Sequence, residues 1–199
     1  MVDVSELAVR EHDDPSGGRV LEAPSLLSGH TGLRAWRRED APALAGACGD
    51  ALICAYTTIP RRFSEAAAAE WIERQIRALH AGTSLVLAIE TAGSSMPVGA
   101  VWLFAFDEPW PRSARVGGWV RVEHRGQGLM TVAIRMLAQW AFSELKLEAL
   151  ELCFEADNLA SRRVSEKLGA RRTGSLAGAR SQVPTVLEHH TLSGPVAGD

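Results

Sequence analysis

The stretch 115–141 constrains this chain more than any other. An apolar segment, Arg115 to Val122, runs into His124-Arg125-Gly126-Gln127-Gly128-Leu129 and then into a long amphipathic series. Leu129, Val132, Ala133, Met136, Leu137, Trp140 and Ala141 follow the i, i+3, i+4, i+7, i+8 spacing of one helix face. A strand, a glycine turn and a helix in that order put the first unpaired N–H groups of the helix at the turn, where partial positive charge collects. Such a turn binds anions. Gly126 and Gly128 let the main chain approach phosphate oxygens closely, and Arg125 can add a charge-assisted contact. Taken alone, the turn reads equally well as a plain Gly-rich connection. The G-x-G-x-x-G dinucleotide fingerprint and the Gly-Lys-Ser/Thr of a P-loop are both missing, which disfavours an ordinary nucleotide-binding fold.

The rest of the chain is organised around this unit. With 199 residues, 46% of them hydrophobic, it can bury one substantial core, so one domain is expected. The reading is a poorly patterned leader over 1–29, a domain over 30–193 and a flexible tail over 194–199. Leu33 to Arg37 reads as a strand, Asp40 to Gly49 as a helix with Pro42 near its start, and Ser64 as the N-cap of a second helix ending at Gly82. Ser84–Glu90 and Val98–Phe106 read as a hairpin, Arg115–Val122 as a strand that Gly117-Gly118 weakens or bulges, and Leu150–Glu155 as a strand with one dry face. Ala160–Leu168, with Gly169 placed as its C-cap, reads as a short helix, and closing strands include Thr185–Leu192. The result is a mixed α/β domain with one central sheet.

Charge and cysteines narrow the setting. A net charge of −3 gives no nucleic-acid footprint, and no apolar stretch reaches the length of a membrane span. The start lacks a signal-peptide pattern, and Cys48, Cys54 and Cys153, neither paired nor spaced as metal ligands, read as reduced core thiols of a cytoplasmic protein without a metal site. Trp36, Trp71, Trp102, Trp119 and Trp140 fall on apolar faces and read as core, whereas Trp110 stands in a Pro109–Pro111 loop where it could touch an acceptor or a second subunit.

Gly118-Trp119-Val120, Arg125-Gly126-Gln127-Gly128-Leu129, Asn158-Leu159-Ala160-Ser161-Arg162-Arg163-Val164 and Glu166-Lys167-Leu168-Gly169 together resemble the GNAT family of N-acetyltransferases. The resemblance is closest to the RimJ/RimL-like branch acting on ribosomal-protein N termini, and it runs from about Leu33 to Leu192. It implies a single mixed sheet flanked by helices, whose central strands, Trp119 to Val122 and Leu150 to Glu155, splay to form an acetyl-CoA cleft. The pantetheine arm would pair with main-chain groups of Val120 and Val122, and the pyrophosphate would lie on Arg125, Gly126, Gln127, Gly128, Leu129 and Met130. Met130 departs from the family's R/Q-x-x-G-x-G/A pattern, whose last position is small, while keeping the backbone donor. Asn158 is implied to hydrogen-bond the cofactor, and Ser161 to lie near the thiol as a proton donor to the leaving thiolate. Read without the resemblance, either could simply cap the following helix. Relatives outside the branch carry a tyrosine acid where this chain has Ser165, so a tyrosine mechanism is excluded.

The implied reaction is direct transfer of acetyl from acetyl-CoA to a primary amine, a protein N-terminal α-amine or a small amine, inside a ternary complex. Such an amine must lose a proton before it attacks. Glu151 and Glu155, sharing a strand face with Cys153, are candidate bases, and Glu123 and His124 flank the turn. The stretch Gly178-Ala179-Arg180-Ser181, where some members of the branch carry an acid, has no carboxylate. Two other readings stay open: a non-catalytic CoA-binding regulatory module, and an unrelated α/β fold with a similar glycine turn. Dimerisation, through Thr185–Leu192 or Trp110, is also open.

Overall fold

The computed structural model describes residues 22–57, 59, 63–94, 96–106, 112–180 and 183–194. Eight strands form one sheet: β1 (Leu26–Ser28), β2 (Thr31–Ala35), β3 (Ser84–Thr91), β4 (Gly99–Phe104), β5 (Ser113–Val120), β6 (Ala149–Glu155), β7 (Arg171–Arg180) and β8 (Val183–Ser193). Their order is β1-β2-β3-β4-β5-β6-β8-β7, antiparallel throughout except for the parallel central pair β5–β6. Among the described residues five α-helices flank the sheet: α1 (Ala41–Ala47), α2 (Ala51–Tyr56), α3 (Glu65–His80), α4 (Leu129–Glu144) and α5 (Leu159–Leu168).

Strand alternation divides the core in two. On one face Leu85, Leu87, Val101, Leu103, Val116, Leu150 and Leu152 pack against Ala133, Ile134, Leu137 and Ala141 of α4. On the other, Ala88, Ala100 and Trp119 meet Trp36, Leu44, Ile53, Ala68 and Ile72 from the α1–α3 region. The first face is large and branched, and the second combines small alanines with tryptophans where α1, α2 and α3 pack. Arg34 of β2 ties the sheet to the α1–α3 layer: its guanidinium binds both oxygens of Asp40 (2.6 and 2.9 Å) just before α1, and Glu90 of β3 (2.6 Å).

Several elements differ from expectation for identifiable reasons. Inside the supposed leader, β1 pairs Leu26 with Leu33 across a turn in which Gly29 takes a φ of +58°. Helix α2, not foreseen, starts at Asp50, whose carboxylate accepts from the N–H groups of Leu52 (2.8 Å) and Ile53 (3.1 Å). Strand β5 stops at Val120 rather than Val122, because residues Val122–His124 coil into a 3-10 turn and Arg125 Nε takes the Val120 carbonyl (3.0 Å). No bulge occurs at Gly117-Gly118; pairing with β4 runs unbroken from Arg115 to Val120, and the register shift falls in β7 between Arg172 and Gly174. The tail begins tethered, since Gly194 donates to the Glu148 carbonyl (2.7 Å). Of the tryptophans, Trp36 and Trp119 are buried and Trp71, Trp102 and Trp140 pack partly buried against the two clusters, while Trp110 lies outside the described residues.

Gly117 and Gly118 are there for space. A Cβ at 117 would sit 2.6 Å from Trp102 Nε1, and one at 118 would meet the Ala100 carbonyl oxygen at 2.6 Å and Met130 Cε at 2.5 Å. The Ala100 oxygen is main chain and cannot move aside alone. Gly118→Ala is therefore expected to destabilise by about 1–3 kcal/mol, as overpacking does, whereas Gly174→Ala, with nothing within 4 Å, should stay within about 0.5 kcal/mol of wild type. Urea unfolding of the two variants tests this, and equal midpoints would show that the β4–β5 contact is not tight.

Candidate active site

The central parallel ladder is short. Its register runs only from Ser113↔Ala149 to Val116↔Leu152, yet β5 continues to Val120 and β6 to Glu155. Beyond Val116 each strand follows its antiparallel neighbour and a gap opens. Arg121 N–H bonds the Val98 carbonyl (2.9 Å), which with the register Gly99↔Val120 sends the main-chain groups of Gly117 and Trp119 to β4 and those of Gly118 and Val120 toward the gap. On the facing bank, Ala156 N–H bonds the Val186 carbonyl (2.8 Å), so Leu152 and Phe154 serve β8 and the carbonyl of Cys153 faces the gap. Gly118 and Val120 thus take the place expected for Val120 and Val122.

The turn into α4 closes one end of this gap. Gly126 and Gly128 have φ of +77° and +79°, and a Cβ on either would touch nothing within 4 Å. Glycine is needed there for its torsion alone, and the space above the turn is open. Gly128 is the N-cap of α4 and contributes no side-chain cap. Among the described residues no protein acceptor meets the N–H groups from Gly126 to Thr131; the first main-chain bond is Val132 N–H to the Gly128 carbonyl (3.1 Å). Gln127 turns its amide back to the Glu123 carbonyl (3.4 Å) and remains exposed. Met130 sends its thioether down into the hole over Gly118, so its bulk lies against the sheet and leaves the main chain clear. Leu129 is buried in the α4 core.

Arg125 does not point into this cradle. Its Nη2 is paired with Asp50 (2.9 Å) and its Nε with the Val120 carbonyl, so it braces the end of β5 against the start of α2. The half-buried N-cap carboxylate draws the guanidinium toward α2. Burial pushes the Asp50 carboxyl up, but Arg125 and the amides of Ile53 and Leu52 outweigh it and hold the group below its ordinary range. A cleft of about 350 Å³ runs alongside, lined by Gly46, Gly49, Asp50, Ile53, Arg121 and Glu123 among others.

On the other bank, Asn158 caps α5: its Oδ1 accepts from Ser161 N–H (3.1 Å). The capping role anticipated for Asn158 is present, and the half-buried Ser161 hydroxyl has no partner among the described residues. Sequence reasoning missed how α5 is fastened. Ser165 is fully buried and its hydroxyl shares a hydrogen bond with His190 Nδ1 (2.8 Å), while Arg162 pairs with Glu188 (3.0 Å) and donates to the Ala156 carbonyl (2.8 Å). The signal was there as matched spacings, Arg162 to Ser165 on one helix face and Glu188 to His190 on one strand face.

The carboxylates considered as bases are engaged. Glu151 accepts from Thr191 Oγ1 (3.0 and 3.2 Å), and Glu155 from Thr185 Oγ1 (3.4 Å). Glu123 is exposed, and its own N–H and then Arg121 hold its carboxyl below the usual range. His124 sits half-buried in the 3-10 turn. Burial pushes the Cys153 thiol up, Arg115 opposes this and Glu151 adds to it, and the net shift is upward.

A mixed sheet with a parting parallel pair and an uncapped glycine turn at its mouth defines an acyltransferase architecture. The chain belongs to the GNAT acetyltransferase family, whose model, described as Acetyltransferase (GNAT) domain, matches residues 30–171. It is 35% identical over 104 residues to "Probable N-acetyltransferase YjcK" of Bacillus subtilis, covering 52% of this chain and 57% of that protein. The chain thus spans little more than half the length of this curated relative. Among solved structures, Mycobacterium smegmatis RimJ in complex with CoA-disulfide superposes with a TM-score of 0.76 at 20% identity, covering 89% of both chains. The ribosomal-protein-S5-alanine acetyltransferase of Vibrio fischeri gives a TM-score of 0.77 at 15% identity, covering 88% of this chain and 100% of the other. Among the described residues no helix is long and apolar enough to cross a membrane.

The Asp50–Arg125 brace has a definite pH signature. A carboxylate with a depressed native pKa stabilises above its unfolded value, near 3.9, and loses that contribution as pH falls through the native value. Asp50→Asn, which keeps a cap acceptor but removes the ion pair, is expected to lower stability at pH 7 by about 0.5–1 kcal/mol. In urea titrations the wild-type advantage should shrink below about pH 4; an advantage independent of pH would locate it elsewhere.

Proposed function

We propose that this protein transfers an acetyl group from acetyl-CoA to a primary amine by direct attack within a ternary complex. The observation that carries the proposal is the junction of two features: the main-chain gap beyond Val116 and Leu152, and the unfilled N–H cradle from Gly126 to Thr131. An extended amide-bearing arm needs strand partners, and a pyrophosphate needs converging donors; the two lie end to end here. The cradle would hold phosphate through the N–H groups of Gly126, Gln127, Gly128, Leu129 and Met130. Gly118, the Val120 N–H and the Cys153 carbonyl would hold the arm beside Trp119. Arg125 keeps the bank in place instead of touching phosphate.

Acetyl-CoA supplies an activated acyl carbon and a good leaving group. The chain's own contribution is positioning the acceptor and polarising the carbonyl through N–H groups of β5, effects that are large when donors are fixed in advance. Ser161, with a free hydroxyl at the start of α5, is assigned to protonate the departing sulfur, and Asn158 to hold the loop that presents it. The raised thiol of Cys153 is protonated at neutral pH and unfit as a nucleophile, which favours direct transfer over an acyl-enzyme. The acceptor favoured by the likeness to RimJ and the S5-alanine enzyme is a protein N-terminal α-amine, and small amines form the second class. A cytoplasmic setting accords with three free cysteines among the described residues.

Calorimetric titration with CoA and thiol release from acetyl-CoA over a panel of N-terminal peptides and small amines test the proposal. CoA binding is expected, and Gly128→Asp, which strains a positive-φ site and sets a carboxylate in the cradle, should weaken it by about tenfold or more. Undiminished binding in that variant would remove the cradle from the site. Ser161→Ala is expected to lower kcat about 10- to 100-fold with little change in CoA affinity; unchanged kcat would transfer the acid role to solvent. Tight CoA binding with no turnover on any amine would instead indicate a regulatory module.

A further inference from the structure

We propose that His189 is the general base that deprotonates the acceptor amine, a reading that rests on the acetyl-transfer function above. Register pairs His189 of β8 with Cys153 of β6, so both side chains stand on the sheet face opposite α4, the face that carries Trp119. That end of the face is open enough to leave Glu151, Cys153, His189 and Thr191 half-buried, whereas Leu150, Leu152 and Phe154 behind them are buried. His189 Nε2 is 3.6 Å from Cys153 Sγ, and the Cys153 carbonyl borders the gap. The imidazole therefore stands beside the β6 bank of the gap, on the side from which an amine would approach an acyl carbon held from the α4 side.

Chemistry favours it over its neighbours. A thiol is a weak donor and does not hold Nε2 against an incoming ammonium. Imidazole is the side chain suited to accept and release a proton near neutrality. The carboxylates of Glu151 and Glu155 are bound by Thr191 and Thr185. Thr173 fixes the strand at this point, donating to the His189 carbonyl (3.3 Å) and sharing a hydrogen bond with Thr191 (3.1 Å). The charged or titratable groups that share the face are Arg115 of β5, Glu151, Cys153 and Glu155 of β6 and, by register, Arg171 of β7.

In the step assigned here, neutral His189 takes one proton from the acceptor ammonium and passes it to water. The freed nitrogen lone pair forms the bond to the thioester carbonyl carbon, the carbon–sulfur bond breaks, and the amine's second departing proton ends on the sulfur.

The test uses full-length protein, acetyl-CoA and the amine panel. His189→Gln is expected to lower kcat about 10²- to 10⁴-fold, with KM for acetyl-CoA changed less than a few-fold. Wild type is expected to lose kcat/KM toward acid pH, and the variant should lack that fall. Added imidazole should restore part of the activity of His189→Ala, which distinguishes a lost base from a misfolded strand. Independently of turnover, the His189 ring resonance, assigned by its loss in His189→Gln, should shift when CoA is added. An active wild type matched in rate and pH profile by His189→Gln, or a ring signal indifferent to CoA, overturns the assignment. A wild type that binds CoA but acetylates nothing overturns the acetyl-transfer reading, and this one with it.

Discussion

A main-chain polar group removed from water needs a partner, and the parting of β5 from β6 leaves several without one. The cause is competition between pairings. β5 is held by β4 along its length, helped by glycines at 117 and 118 that admit Trp102 and the Ala100 carbonyl, and β6 is held by β8 from Ala149 to Glu155. Each antiparallel pair keeps its own twist, and the parallel ladder between them survives only to Val116 and Leu152. The opening is thus imposed by the flanking strands, and its donors and acceptors stand fixed before anything binds.

The same preorganisation explains the two side chains that fill unexpected places. Arg125 is engaged by Asp50 and the Val120 carbonyl, so the turn's positive character comes from oriented amides. Met130 lodges over Gly118 and pins the first turn of α4 to β5. Both contacts couple the cradle to the bank of the gap, so the distance between the two sites is set by packing. A rigid spacing of this kind measures the length of a ligand as well as its chemistry.

Local structure was legible in the sequence wherever short-range chemistry decides it. Ser64 caps α3, Gly169 ends α5 in a left-handed conformation, and the turn before α4 follows from Gly126 and Gly128. Features set by distant partners were not legible. Val122 is a good strand residue, and only the reach of Arg125 to Val120 reveals why the strand has already ended. Helix α2 has no amphipathic stripe to betray it and depends on one cap, Asp50, that tertiary contact with Arg125 sustains. The approach of His189 to Cys153 needs the β6–β8 register, which alternation within one strand cannot supply.

That register matters most at the adjacent histidines of β8. Because a strand alternates its side chains, His189 faces the open side beside Cys153 while His190 faces α5 and bonds the buried Ser165. A slip of one residue would exchange them, placing an imidazole meant for docking where proton transfer is assigned. Helix α5 has little apolar surface to resist such a slip, since Ser165 is its one buried residue. Polar contacts resist it instead: Arg162 holds Glu188, and Thr191 binds Glu151 on the opposite face. These groups contact different faces of β8 and different elements, so the register that seats His190 under α5 also fixes His189 beside the gap.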